Sequence, residues 1–317
     1  MFSTLLLLLA AHNYTDYVNA RRKARKMVES HCSLTLENRR VLTITGEDRT
    51  RFLERLITTD VEKISTREMV AGALLSPQGK VIFDFLIGRI DDGFIIDISS
   101  DLADSFKKRL TLYRLRSKVE ISESPESVIG ISWQNDSLTS ESDSSFADKR
   151  FPAEEKVTRF YGENMTPLPF SQSSSDQWDL LRIKYGIAES GKDFKIGDVF
   201  PHDINFDQTG AISYKKGCYI GQEVVSRMHH RGTIRRRMLV VEGKDNLPAT
   251  GSIECEGKTV GNLGIVIGKH ASAIVRIDKV KAGIDKNVPF FVENVPVTLT
   301  IAPNMNYGFP EDVSEGE

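Results

Sequence analysis

Short apolar runs separated by Gly, Pro, Asn and Asp dominate the pattern of the chain. Residues 33–46 (SLTLENRRVLTITG) alternate in the way that a pair of strands does. Residues 70–98 hold three apolar runs divided by the turns PQG and DDG, which predicts an antiparallel meander. From about residue 237 the apolar runs become short and regular, which predicts a compact β-barrel or sandwich.

Helical spacing occurs in four segments, namely residues 46–61, 101–118, 178–190 and 219–230. The first has Asp48 or Thr50 as its cap, and the second has Asp101. In the last segment Val224, Val225 and Met228 are expected to be buried. Two polar, Ser-rich stretches, 133–150 and 171–176, are interpreted as surface loops without a function of their own.

The composition excludes some classes of function but does not indicate one. The 317 residues are 40% hydrophobic and 27% charged, with a net charge of −2, as is usual for a soluble globular protein. This balance speaks against a global role on nucleic acid or at a membrane surface. The three cysteines, Cys32, Cys218 and Cys255, are far apart and lack the spacing of metal ligands. Three thiols cannot all pair, so we expect a reducing compartment, the cytoplasm, and no metal site.

The first 26 residues do not continue the pattern of the rest. The apolar stretch at residues 4–11 is too short to span a bilayer, and the basic cluster RRKARK follows it rather than preceding it. We interpret residues 1–26 as an over-called gene start or a disordered extension. An uncleaved membrane anchor is the weaker alternative.

The stretch KKGCYIGQE, residues 215–223, is the strongest candidate for chemistry. Cys218 precedes a predicted helix, where unpaired N–H groups and the two preceding lysines would favour the thiolate. Gly217 and Gly221 permit tight turns or the close approach of a ligand. The alternative is a small buried residue that packs at the start of a helix. Spacing alone favours this alternative, because free cysteines are commonly buried.

Residues 216–223 (KGCYIGQE) resemble the signature of the YgfZ family of folate-binding proteins. Mitochondrial relatives of that family are iron–sulfur cluster assembly factors, and a more distant relative is the glycine cleavage T-protein, an aminomethyltransferase. The resemblance extends from about Met27 to the barrel and leaves out residues 1–26 and the Ser-rich loop. Further segments that agree with it are GEDRTRFLERLITTDV, LLSPQGKVIFDFLI, YRLRSKVEI and FPHDINFDQTGAIS.

The resemblance implies an α+β fold, namely a T-protein-like ring of two interleaved α+β modules and a C-terminal β-barrel around a folate channel. On this basis residues 27–235 form the folate-binding α+β region, with a variable loop near 134–150. Residues 236–310 form the barrel, and residues 311–317 are a tail.

One departure from the T-protein pattern bears on activity. T-proteins carry an Asp-Asp pair after the Gly-rich turn, and its first Asp is needed for aminomethyl transfer. Here Phe83 stands at the first position and Asp84 at the second. Phenylalanine cannot exchange a proton, so general acid–base help is lost there. We therefore do not expect an active aminomethyltransferase, although the ring fold is that of a transferase.

The resemblance also implies roles for single residues. Cys218 would be a redox-active or transient ligand thiol, with Lys216 tuning it, and Gly217 and Gly221 would shape the loop. The residues expected to contact tetrahydrofolate or a derivative, or to fix the loop beside it, are Asp84, Arg182, Asn205, Tyr219, Gln222 and Glu223.

The basic run RMHHRGTIRRRM, residues 227–238, has three interpretations. It is a solvated face, a site for an anion such as the glutamate tail of a folate, or a contact for RNA phosphates. RNA ranks lowest, because no aromatic stacking platform accompanies the run.

The sequence thus predicts a folate-binding accessory protein for assembly or repair of iron–sulfur enzymes, with an indirect effect on tRNA modification. Its partners would be folate, iron–sulfur assembly proteins and client iron–sulfur enzymes, with no membrane and no direct nucleic-acid contact. The alternatives are a tetrahydrofolate-dependent aminomethyltransferase and an RNA-binding module.

Overall fold

The computed structural model describes residues 32–123, 128–134, 144–162, 173–232 and 234–310. The predictions for residues 1–26 and 311–317, and for the middle of the first Ser-rich stretch, lie outside these ranges. Within them, every helix is too short or too polar to cross a membrane.

Within the described residues, nine strands and four helices form the N-terminal α+β region. The strands are β1 Cys32–Thr35, β2 Arg39–Thr45, β3 Glu68–Leu75, β4 Val81–Ile90, β5 Gly93–Ser99, β6 Glu120–Glu123, β7 Val128–Trp133, β8 Ser145–Asp148 and β9 Thr158–Gly162. The helices are α1 Arg49–Glu54, α2 Ser100–Arg114, α3 Ser175–Lys184 and α4 Gln222–His230. Short 3₁₀ turns lie at Val61–Lys63, Ala153–Glu155 and Pro201–Ile204.

A single mixed sheet joins the two halves of this region. Its strand order is β1-β7-β9-β8-β3-β4-β5-β2-β6, with β3 and β8 parallel at the junction. The meander β3–β4–β5 is antiparallel, as the turns at residues 77–79 and 91–93 predict. β1 belongs to the far half although it comes first in the chain, so the two halves are interleaved. The strands at residues 33–46 therefore do not pair with each other: β1 pairs with β7, and β2 with β5 and β6.

The C-terminal region is a closed six-stranded barrel. Its strands are β10 Arg236–Gly243, β11 Ser252–Cys255, β12 Lys258–Ile267, β13 His270–Arg276, β14 Phe290–Val292 and β15 Val295–Thr300, with helix α5 at Ile277–Asp285. The order β10-β13-β12-β11-β14-β15 closes where β10 pairs with β15. Closure removes the free sheet edges that would otherwise invite association. The predicted α+β class with a C-terminal barrel is confirmed.

The period of two along the strands divides the core of the sheet into two layers. On β4, Phe83, Phe85 and Ile87 pack with α2, whereas Leu86 packs on the other face, toward α3. α3 also packs against β12 and β13 of the barrel. The sheet thus carries one apolar layer under α2 and a second layer that faces α3 and the barrel.

A buried charged cluster lies in this second layer and joins the sheet, α3 and the barrel. Arg159 contacts Asp97 at 2.7 Å and Asp148 at 2.9 Å, and all three are buried. Arg182 contacts Asp179 and Asp193, each at 2.8 Å. Buried charges persist only when they are paired and hydrogen-bonded, which is the case here. We define the buried charged cluster as Arg39, Asp97, Asp148, Arg150, Arg159, Asp179, Arg182, Glu189 and Asp193.

The cluster corrects the prediction of a surface loop at residues 133–150. Ser145–Asp148 form strand β8, which pairs with β3 and β9. Asp148 and Arg150 are buried and bind each other at 2.7 Å. The polar composition misled the prediction because the charged side chains here satisfy one another instead of water.

Candidate functional site

The loop 215–221 presents Cys218 at the surface, ahead of α4. Helix α4 begins after Gly221, its N-cap residue, so Cys218 lies on the far side of the turn 219–221 rather than at the first helical position. The thiol is free and exposed. The interpretation of Cys218 as a buried packing residue is therefore wrong, whereas Cys255 is buried in the barrel.

Lys216 points away from solvent and ties the loop to α1. Its side chain is 2% exposed, and its ammonium donates to the carbonyl oxygens of Ile57 at 3.0 Å and Thr59 at 2.6 Å. It also binds a carboxylate oxygen of Glu54 at 3.0 Å. Burial lowers the pKa of Lys216, while Glu54 raises it in opposition. Lys216 therefore positions the loop, and its predicted tuning of the thiol stays a prediction.

A charged cleft of about 910 Å³ opens beside the thiol. Cys218, Gly217, Lys216 and Lys215 form one wall, and residues 47–55 with 60–63 form the others. Both signs of charge line it, since Arg51 and Arg55 face the same space as Glu54 and Asp60. An exposed thiol in such a cleft is open to a protein partner or to a polar ligand.

The two glycines of the loop have different roles. Gly221 has φ +79°, and a Cβ there would lie 2.6 Å from the Ser76 carbonyl oxygen. Only glycine fits this close approach between α4 and the β3–β4 turn. Gly217 has no such φ, and a Cβ there would meet no atom within 4 Å.

Tyr219, Gln222 and Glu223 follow the thiol but do not share its cleft. Tyr219 is buried with its hydroxyl unpartnered among the described residues, and burial raises its pKa. The Gln222 side-chain oxygen accepts from the Tyr219 N–H at 3.4 Å, which closes the turn. Glu223 is exposed and binds Arg227 at 2.5 Å on the next turn of α4.

Asp84 lies in the layer of the buried charged cluster, on the face of β4 opposite Phe83. One of its carboxylate oxygens accepts from the Ser190 N–H at 3.2 Å, and the other is buried without a partner among the described residues. Burial raises the pKa of Asp84, against the opposing effect of that hydrogen bond. Phe83 packs on Phe106 with ring centroids 5.1 Å apart. The position that T-proteins fill with a carboxylate is therefore apolar and packed.

Arg182 and Asn205 are buried and fully engaged. Arg182 belongs to the buried charged cluster, where Asp179 and Asp193 engage the guanidinium that was expected to contact folate. Asn205 adopts a left-handed φ of 60°, donates to the Met238 carbonyl at 2.9 Å and accepts from Tyr307 at 3.3 Å. It thereby fastens the α+β region to the barrel.

A second cavity, of about 720 Å³, lies where the α+β region meets the barrel. Lys192, Lys195 and Arg236 contribute positive charge to its wall, and Phe194 and Leu263 contribute apolar surface. None of the six residues predicted to contact folate or to fix the loop lines this cavity or the cleft beside Cys218. The predicted set is thus dispersed over the structure rather than gathered around one ligand.

The basic run 227–238 is divided between solvent and the interior. Arg237 is buried and binds Asp207 at 2.5 Å, whereas Arg231 and Arg235 are exposed. His229 stacks on Tyr214 at 4.0 Å between centroids. Among the described residues no three His, Cys, Asp or Glu side chains are grouped so as to hold a metal ion.

The sequence analysis missed the residues of α1 and its C-cap that line the cleft, chiefly Arg51, Glu54 and Arg55. It described residues 46–61 only as a helix with its cap and as part of the family resemblance. The sequence does contain a signal for them, because the polar face of an amphipathic helix lies opposite its apolar face and is open to solvent.

Comparison with known proteins shows what the chain is similar to. Residues 235–307 match the model of the CAF17 C-terminal beta-barrel domain. The chain is 30% identical over 236 residues to a protein of Coccidioides immitis named iron-sulfur cluster assembly factor IBA57 homolog, mitochondrial. That match covers 65% of this chain and 56% of the fungal protein, so the chain spans little more than half the length of that relative. The human iron-sulfur cluster assembly factor IBA57, mitochondrial, is 27% identical over 278 residues, which cover 78% of each chain.

The fold has a solved counterpart. The aminomethyltransferase T of the glycine cleavage system from Bartonella henselae superposes with a TM-score of 0.66, covering 87% of this chain and 86% of that one. The identity is 12%, so the likeness concerns the fold alone.

The relatives correct one prediction and narrow another. The cytoplasmic location is wrong, because the fungal and human relatives are mitochondrial proteins by name and point to the mitochondrion. The predicted resemblance to the YgfZ family is replaced by a more specific one to mitochondrial relatives, since the fungal and the human protein both carry the name IBA57. The chain thus combines a T-protein-like fold with a CAF17-type C-terminal barrel and is similar over most of its length to IBA57 iron–sulfur cluster assembly factors.

Proposed function

We propose that this protein is a folate-binding accessory factor for the assembly or repair of iron–sulfur enzymes, and that it affects tRNA modification indirectly through those enzymes. The observation that carries the proposal is the free, exposed Cys218 in its charged cleft, on a chain similar to proteins named as cluster assembly factors.

Cys218 would serve as a transient cluster ligand shared with a partner. Clusters normally require about four thiolate ligands, so one cysteine cannot hold a cluster alone. Lys216 holds the loop against α1 through Glu54 and against the following segment through Ile57 and Thr59, which fixes the wall of the cleft that carries the thiol. Residues on a rigid support hold a metal-ligand geometry better than mobile ones do.

For folate, the structure favours the cavity at the junction with the barrel over the six predicted residues. The polar groups of Arg182 and Asn205 are already bound to other residues of the chain. The junction cavity instead offers apolar surface for a flat ring and basic side chains, Lys195 and Arg236 among them, for an acidic tail. A bound folate would supply a one-carbon carrier there. The residues of this chain would hold its tail and shield its ring from water.

Aminomethyl transfer is not favoured by any contact at β4. Phe83 packs on Phe106, so no titratable side chain occupies the place of the first T-protein carboxylate. Asp84 lies on the other face of the strand, beside Ser190. An RNA-binding function has little support as well, since Arg237 is committed to Asp207 and only part of the basic run, including Arg231 and Arg235, is exposed.

The decisive experiment replaces the chromosomal copy with Cys218→Ala or, as the matched control, Cys32→Ala. Activity of a cluster-dependent dehydratase and methylthiolation of tRNA would be measured at equal protein levels. We expect both to fall on the order of ten-fold in Cys218→Ala and to be retained in Cys32→Ala. Wild-type activity in Cys218→Ala would refute the role of the thiol.

The folate component has its own test. Purified protein is titrated with tetrahydrofolate by calorimetry, and the same titration is run on Cys218→Ala and Lys195→Glu. We expect equal affinity in Cys218→Ala and weaker binding in Lys195→Glu, because only the latter places a negative charge where the acidic tail would lie. Absence of binding in the wild-type protein would remove folate from the proposal.

A further inference from the structure

The end of α2 presents two leucines to solvent. Leu115 is 87% exposed and Leu112 is 63% exposed, more than any other large hydrophobic residue in the described ranges. Leu115 also has φ 47° and ψ −111°, a backbone conformation that a leucine rarely adopts. Strain and exposure together are unfavourable for folding, and such positions concentrate at functional surfaces.

A groove of about 570 Å³ lies beside Leu115. Its floor includes Phe52 and Leu56 of the α1 segment, and Tyr113 and Leu115 form one side. Phe52 and Leu56 are themselves largely buried, so the apolar surface that the groove offers to another molecule is chiefly that of Leu115. A groove of this kind accommodates an apolar side chain of another molecule.

Three arginines line the groove, namely Arg51, Arg55 and Arg116, and Arg114 precedes Leu115 in the chain; all four are exposed. None of them makes an ion pair with the residues that the structure describes, whereas the arginines of the buried charged cluster all do. The single acidic residue in the groove wall, Asp48, is engaged with the Lys118 N–H at 2.8 Å. The groove is therefore locally positive on a chain of net charge −2.

The groove adjoins the cleft of Cys218. Asp48, Arg51 and Arg55 line both spaces, so α1 with its two capping residues lies between them. A molecule that inserts an apolar side chain beside Leu115 and places carboxylates on Arg51 and Arg55 has its edge at the thiol. A small anion would not need the leucines. Single-stranded nucleic acid would need a series of stacking aromatics, whereas the groove offers the single half-buried ring of Tyr113 beside the buried Phe52.

We propose that Leu112, Leu115 and the four arginines form a docking surface for an acidic, leucine-rich face of the protein that meets Cys218. This assignment deepens the proposed function and rests on it for the role of the thiol. The leucines supply apolar contact, and the arginines supply attraction and orientation. Docking there brings the partner's own ligands to the cleft, which a lone cysteine requires.

The test uses the full-length chain and a fluorescein-labelled peptide of alternating Glu and Leu, with a Glu/Ser peptide of equal charge for comparison. Anisotropy gives the Kd at low and at physiological salt. We expect the Glu/Leu peptide to bind, and Leu115→Gly and Arg51→Glu each to weaken it on the order of ten-fold. Lys244→Glu is the charge-matched control in the barrel, where Lys244 is exposed, and it should bind as the wild type does.

Leu115→Gly separates docking from folding. Glycine relieves the positive φ, so this variant should melt at a higher temperature than the wild type while binding the peptide less well. Wild-type affinity in Leu115→Gly, or equal affinity for the Glu/Ser peptide, would overturn the docking surface. Tighter binding of tRNA, or of vesicles containing phosphatidylglycerol, that is lost in Leu115→Gly would overturn the choice of a protein as occupant.

A second arm separates this proposal from the proposed function. Leu115→Gly should also lower the cluster-dependent dehydratase activity in cells. Weaker peptide binding with unchanged dehydratase activity would overturn the link between the surface and the partner of Cys218. Unchanged activity in Cys218→Ala would instead defeat the proposed function, while the peptide measurements still decide whether the surface binds acidic chains.

Discussion

In the buried charged cluster, Arg159 and Arg182 each contact at least two carboxylates and are shielded from water. Beside Cys218, by contrast, Arg51 and Arg55 are exposed and contact no carboxylate among the described residues. Both regions are rich in arginine, and both contain segments that resemble the same family. In the first region the arginines pair with carboxylates of the same chain and so join the sheet, α3 and the barrel. In the second region the arginines are free to bind another molecule, next to a free thiol.

The difference shows why a family resemblance alone does not assign a role. Arg182 and Cys218 were both expected at a ligand, yet one lies among carboxylates of its own chain and the other faces an open cleft. Substitution of a residue of the first kind should lower the stability of the fold. Substitution of a residue of the second kind should leave stability nearly unchanged and lower activity.

The largest expected effect is loss of a buried arginine. Arg159→Met would leave Asp97 and Asp148 without a shared partner in the interior, which costs about 3–5 kcal/mol of the free energy of unfolding. Burial alone would raise the pKa of Asp148, but Arg150 and Arg159 lower it to about 2, so it is charged at neutral pH. Urea unfolding followed by circular dichroism measures the change.

The control for Arg159→Met is Lys269→Met, which removes an exposed ion pair with Glu242 in the barrel. Exposed pairs contribute only about 0–1 kcal/mol, so this variant should unfold nearly as the wild type does. Equal losses in the two variants would mean that the charged cluster does not hold the structure as its contacts indicate.

Most of the fold could be predicted from the sequence because its signals are local. The turns at residues 77–79 and 91–93 set the meander, and the short runs after residue 237 set the barrel. The pairing of β1 with β7 could not be predicted, because it joins residues about a hundred positions apart. The burial of Asp148 and Arg150 was missed for a different reason, since a polar composition indicates solvent, whereas these two side chains bind each other and Asp148 also binds Arg159.

The candidate site was predictable in part. The motif at residues 216–223 located the thiol, and the structure adds that Lys216 faces inward and Cys218 outward. The wall of the cleft comes from α1, which is far from the motif in sequence, and no local pattern could place Arg51 beside Cys218. Sequence patterns thus identify reactive residue types, while the surroundings that decide their chemistry depend on tertiary contacts.

A pH-dependent loss of stability is expected from His202, which is buried beside Tyr214 and outside both regions compared above. Burial lowers the pKa of His202 from 6.5 to about 4. The unfolded chain therefore takes up a proton before the folded protein does, and stability falls as the pH drops through that interval, by up to about 3 kcal/mol. Melting temperatures of the wild type and His202→Gln would be compared at about pH 7 and about pH 5.

His202→Gln removes the titrating ring and keeps a polar side chain. The variant should lose less melting temperature than the wild type over the same interval, even if it is less stable at neutral pH. Parallel losses in the two proteins would assign the pH dependence to other groups. The same comparison on Cys218→Ser should reproduce the wild-type curve, because the thiol lies in the exposed region.

The smallest effects are expected within the loop itself, where the two glycines bring the comparison down to neighbouring residues. Gly221→Ala places a Cβ 2.6 Å from the Ser76 carbonyl oxygen at φ +79°, so it should cost about 1–3 kcal/mol in unfolding free energy. Gly217→Ala meets no atom within 4 Å and should stay within about 0.5 kcal/mol. If Gly217→Ala nevertheless lowers cluster-enzyme activity while it folds normally, the backbone beside Cys218 is approached by a partner. If Gly217→Ala changes neither the activity nor the unfolding free energy, Gly217 only forms the turn of the loop. Lys216 is then the last residue of the loop that supports the fold, and Cys218 is the first that is open to a partner.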